Sequence, residues 1–98
     1  MYAILKDKKV IKVDNVIEWG KWYEANTNSR ILDKTQVGKD TVSTVFMGLD
    51  HGFTKGKSLW FESMVFPDCE IVEQYETWEE ARIGHDKIVT ELRKHKGE

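Results

Sequence analysis

A chain of 98 residues with 40% hydrophobic and 11% aromatic content, including four Trp, carries enough apolar material for one small core and argues against global disorder despite its 33% charged residues. Its formal net charge of -2 and isoelectric point near 5.9 supply no basic field, which disfavours general nucleic-acid binding. One cysteine, Cys69, excludes an intrachain disulfide framework, the opening Met1 to Lys9 lacks the pattern of a signal peptide, and no stretch approaches the roughly 20 apolar residues of a membrane helix. The expectation is one domain over residues 1–98, with a reduced thiol and a cytoplasmic address.

Residues Tyr2 to Val13 read as a hairpin, with apolar runs at Tyr2–Leu5 and Val10–Val13 around the polar turn Asp7-Lys8-Lys9. A helix over about residues 15–25 follows. Asn15 is a good N-cap, Glu18 stands at capping-box spacing, and Val16, Trp19, Trp22 and Tyr23 recur on one face. The polar run Ala25 to Ser29 ends it, because such side chains compete for backbone hydrogen bonds.

Arg30 to Val37 reads as a strand and Gly38-Lys39-Asp40 as a turn. Thr41 to Leu49 and Ser58 to Phe66 are the strongest strands, rich in β-branched and large apolar residues. They flank a polar loop at 50–57. Pro67-Asp68 breaks the second of them, and Cys69 to Tyr75 is a shorter strand at an edge. The last element is a helix over about 78–95. Thr77 and Glu80 form a capping box, acidic residues fill the first turn and basic residues the last, and Trp78, Ala81, His85, Ile88 and Leu92 share a face. The elements predict an α+β fold: an antiparallel sheet, made of an N-terminal hairpin plus a central meander, packed by two helices.

A few polar residues sit oddly in these elements. His85 falls on the apolar stripe of the last helix, and Gly84 before it suggests a helix pressed close to the sheet. A buried imidazole needs a partner. It reads either as a core histidine bonded to a carbonyl or hydroxyl, or as a ligand or catalytic group. Glu62 interrupts Leu59 to Phe66 and pairs opposite Val45 if the hairpin closes symmetrically; it is either exposed, structurally paired, or functional. Asp50 and His51 follow the strongest strand, where loops commonly carry function. Trp60 lies on the Glu62 face and becomes an interaction anchor if exposed. Ser43, Thr44 and Ser63 suit cross-strand hydrogen bonds. Cys69 has no neighbouring base and is a poor nucleophile. No metal or cofactor motif is present, so none is expected.

Three stretches, Val42 to His51, Leu59 to Phe66 and Tyr75 to Ala81 with Gly84-His85, join the helix Ile17 to Glu24 in a pattern that resembles a family of small uncharacterised proteins of bacteriophages, prophages and bacteria. The distinctive part is Ser43-Thr44-Val45-Phe46-x-Gly48-Leu49-Asp50-His51. This chain departs from the family pattern at Lys55-Gly56-Lys57-Ser58, where a Pro-containing, Gly-rich loop is usual, and at Pro67-Asp68, which replaces a Gly-rich turn. The resemblance implies origin and no particular activity, and it places Asp50, His51, Glu62 and His85 at the family's polar positions.

Three functions compete. The first is a phage-type accessory protein that binds a host protein or a small metabolite in the host cytoplasm, in takeover or counter-defence. The second is a small hydrolase using His51 and His85 with Glu62 or Asp50, which requires these side chains to share a cleft. The third is a homo-oligomer assembled through the edge strand near Ile71 or through the Trp helix.

Overall fold

The computed structural model describes residues 1–49, 58–68 and 70–95. Two strands, β1 (Tyr2–Lys6) and β2 (Lys9–Val13), precede helix α1 (Val16–Ala25). Four strands follow, β3 (Ile31–Val37), β4 (Asp40–Phe46), β5 (Phe61–Phe66) and β6 (Glu70–Tyr75), and helix α2 (Trp78–His95) closes the chain. The α+β fold is the one expected. Its β-structure is divided, however, into a two-stranded sheet, β1-β2, and a four-stranded antiparallel meander in the order β3-β4-β5-β6. No helix among the described residues is long and apolar enough to cross a membrane.

The β1-β2 hairpin turns without glycine because Asp7 and Lys8 both take positive φ, 50° and 68°. It joins the meander through a bridge between Tyr2 and Leu49 and a hydrogen bond from Ala3 N to Gly48 O at 3.0 Å. Gly48 makes this junction: its φ is +72°, and a Cβ there would lie 3.0 Å from Trp19 Nε1 and 3.1 Å from Ala3 O. The strand expected to run on to Leu49 therefore ends at Phe46.

Asn15 caps α1 as its sequence suggests, its side chain accepting from Ile17 N and Glu18 N. At the other end Asn26 donates to Trp22 O and Thr27 to Glu24 O, so the polar run satisfies the last carbonyls and stops the helix. Helix α1 packs on β1, with Trp19 against Tyr2 and Trp22 edge-on to Phe46. Val16, expected on the packed face, is instead exposed with Ile17. The covered face starts at Trp19.

Helix α2 lies across the meander. Thr77 Oγ1 accepts from Glu80 N at 3.1 Å and donates to Glu80 Oε1 at 3.0 Å. Its buried face meets two apolar clusters. One comprises Ala3, Phe46, Trp60, Phe61, Tyr75 and Ala81, and the other Val37, Val42, Ile88 and Val89. Along β4 the sequence Val42, Thr44, Phe46 spans both clusters, and along α2 the sequence Ala81, His85, Ile88 does the same. A polar band thus crosses the interface between two apolar layers.

Candidate functional site: a buried hydroxyl–imidazole line

Each strand of the meander contributes one hydroxyl to that band: Thr35 from β3, Thr44 from β4, Ser63 from β5 and Tyr75 from β6. Their alignment follows from register and side-chain alternation. Thr44 and Ser63 are direct cross-strand partners, so both point to the α2 side, as do Phe46 and Phe61 two residues along. Helix α2 delivers His85 into the middle of the line. Its Nδ1 lies 2.7 Å from Thr44 Oγ1 and its Nε2 2.9 Å from Thr35 Oγ1. Thr44 Oγ1 continues to Ser63 Oγ at 2.6 Å, and Ser63 Oγ to Tyr75 Oη at 3.0 Å. The line ends toward solvent at Asp33, whose Oδ2 is 3.7 Å from His85 Nε2 and accepts from Arg82 at 2.8 Å; Arg82 also donates to Asp86.

This approach of α2 to the sheet needs Gly84. A Cβ at that position would collide with the ring of Tyr75, so the glycine lets the helix descend far enough for the next residue to reach Thr44. His85 is 1% exposed and Thr44 and Ser63 are fully buried. Among the described residues, no buried side-chain nitrogen or oxygen lacks a partner. Burial holds the imidazole below its ordinary value of 6.5, partly opposed by the Asp33 carboxylate. The hydrogen bond from Arg82 keeps Asp33 below its ordinary 3.8, and burial raises the Tyr75 phenol. At neutral pH the line is therefore a neutral imidazole among hydroxyls, with one ion pair at its mouth.

A carboxylate, an imidazole and two hydroxyls in sequence have the composition of an acid–base–nucleophile relay. The inner hydroxyls cannot serve as the nucleophile of such a relay. A nucleophile must meet a substrate, and the two hydroxyls in line beyond the imidazole, Thr44 and Ser63, have no exposed surface. The arrangement ties α2 directly to β3 and β4 and, through Thr44 and Ser63, links β5 and β6 to the same line, since hydroxyls and an imidazole pair directionally where apolar contacts slide.

Of the residues singled out from the sequence as candidate site residues, His85 alone joins this line. Glu62 does sit opposite Val45, as expected. It therefore lies on the face of β5 away from Ser63, where Gln74 donates to it at 3.1 Å. The cleft that the hydrolase reading requires cannot hold both Glu62 and His85, because the sheet separates them. Trp60 is 4% exposed and belongs to the apolar cluster, so it is core rather than an interaction anchor. Asp50 and His51, with Cys69, lie outside the described residues. Among the described residues no group of three or more His, Cys, Asp or Glu could hold a metal ion.

Thr35, Tyr75, Asp33 and Arg82 were not singled out by sequence reasoning. A partial signal was present in the glycine beside His85, which permits a close approach that the Tyr75 ring fills. Asp33, Thr35 and Val37 alternate along β3 and so share the face of Val37. No known family model matches the chain, and no curated protein or solved structure matches it.

Proposed function

We propose that this protein works by binding, as a small accessory protein of the phage type whose target is a host protein. The observation that carries this reading is the burial of the centre of the line: His85, Thr44 and Ser63 are committed to holding the fold together. What α2 and the sheet offer to the outside is an open groove of about 430 Å³ along the β6 edge. Ile71 and Val72 of β6 are 54% and 45% exposed, more apolar surface than an edge strand needs for its own packing. The shape of the surface, which is long and open rather than a closed pocket, favours a protein target over a metabolite.

The test is affinity capture from bacterial lysate with the intact protein, alongside a thermal-shift panel of metabolites that includes nucleotides and an ester-hydrolysis assay. Specific capture of a host protein, with neither thermal shift nor turnover, is the expected result. No captured protein, or turnover that disappears in His85→Ala while the fold persists, would overturn the reading.

A further inference from the structure

The groove has a composition that selects its occupant. Its floor is apolar, formed by Val65 and Val72 of the sheet and Ile88 and Leu92 of α2. Among the described residues its rim carries the carboxylates of Asp68, Glu70, Glu73 and Glu91 against one ammonium, that of Lys87. The chain as a whole has 15 basic and 17 acidic side chains, so this imbalance is local to the groove. A smaller hollow sharing Glu73 and Lys87 continues the cleft past Tyr75 to Ile83, which is 69% exposed.

One wall of the groove is the edge of the sheet. Among the described residues β6 pairs with β5 alone, leaving its outer backbone edge available to another strand. The pairing of Ser63 with Glu73 and of Met64 with Ile71 leaves Val72 as an extra residue. This bulge lets both Val72 and Glu73 border the groove, while Ile71 pairs with Met64 on the far face.

We propose that this groove docks an extended, basic segment of a partner protein, which joins the sheet beside β6. The proposal rests on the binding reading above and names the surface and the chemistry of the partner. Lysine or arginine at alternate positions of such a segment would lay its aliphatic stem on Val72, Ile88 and Leu92 and bring its charged head to Glu70, Glu73 and Glu91. The intervening residues would flank Ile71 on the opposite face, where β-branched side chains fit. A second copy of this chain is the disfavoured occupant, because pairing β6 with itself brings Glu70 and Glu73 against their counterparts.

A fluorescent peptide of alternating lysine and valine, titrated into the full chain, tests this. Saturable binding is expected, weakened at least about tenfold when Glu70→Lys and Glu73→Lys are combined, and weakened as strongly between about 20 and 500 mM salt. A peptide of equal charge with proline at its centre should bind far less, since proline cannot complete the ladder. Both substituted positions are exposed, and circular dichroism of the variant confirms that the fold is kept. No binding, equal binding of a glutamate–valine peptide, indifference to the charge reversal, or dimerisation of the wild type through β6 in light scattering would each overturn the proposal. Lysate capture separates the two levels. A host protein retained equally by wild type and the charge-reversed variant leaves the binding reading standing and removes the groove. Peptide binding with no host protein captured removes the functional reading and leaves the groove.

Discussion

The ring of Tyr75 occupies the space that a side chain at position 84 would need. This one contact sets the depth at which α2 rests on the meander, and with it the reach of His85 to Thr44. Alanine in a helix interior is ordinarily worth about 1 kcal/mol over glycine. Gly84→Ala should nonetheless destabilise the protein, by about 1–3 kcal/mol, because the ring must shift in a packed core. A Cβ at Gly20 in α1 would meet nothing within 4 Å, so Gly20→Ala should stabilise by up to about 1 kcal/mol. Urea unfolding of the two variants checks the contrast, and a stabilising Gly84→Ala would contradict the close approach.

The hydroxyls of Thr44 and Ser63 act as a unit. Thr44→Val leaves His85 and Ser63 each short of a partner, and Ser63→Ala does the same to Thr44 and Tyr75. Each should cost about 1–3 kcal/mol. The double variant should cost less than the sum by at least about 0.5 kcal/mol, since the second substitution removes a group already orphaned by the first. Strict additivity in a double-mutant cycle would mean that the two hydroxyls do not interact.

His85 and Arg82 reach β3 from the same helix with very different consequences. His85→Ala should cost about 3 kcal/mol or more, through a cavity plus stranded hydroxyls. Arg82→Ala should cost less than about 1 kcal/mol, because its pair with Asp33 is open to solvent and screened. Thermal melts of both variants check the ordering. A larger loss from Arg82→Ala would place the stability in the ion pair instead of the buried line.

The depressed pKa of His85 makes stability depend on pH. The folded protein disfavours the imidazolium, so below the ordinary value of 6.5 the unfolded chain binds the extra proton. This contribution is fully present above 6.5 and declines as the pH falls from there toward the folded pKa. Asp33 adds a second loss at lower pH, since its pair with Arg82 fades as the carboxylate protonates below 3.8. Replacing Asp33 by Asn removes the charge that favours the imidazolium and should lower the His85 pKa further. Denaturation midpoints measured from pH 8 to pH 5 should fall for the wild type. They should fall less for His85→Phe relative to its own midpoint at pH 8.

Much of the fold was legible in the sequence because its signals are local. Asn15 and Thr77 mark helix starts with side chains that reach their own backbone, and the pairing of Glu62 with Val45 follows from alternation about one loop. The junction between the β1-β2 hairpin and the meander was not legible, since it depends on the positive φ of Gly48 and a contact with Ala3 far away in the chain. The candidate site was half legible. His85 stood out as polar on an apolar stripe, but its partners Thr35 and Thr44 look like ordinary strand residues until the sheet is assembled. Glu62 stood out for the same reason as His85 and lies on the other face, because contrast with neighbours does not reveal which side of a sheet is covered.

The claim on which the rest depends is that His85 is a sealed, neutral structural group. Its ring carbon resonances followed by NMR through a pH titration test this most directly. The expected result is a ring that stays neutral below its ordinary 6.5, with a ring N–H that exchanges slowly with water. A ring titrating freely at 6.5 with rapid exchange would show that solvent reaches it, and the hydrolase reading would displace the binding one.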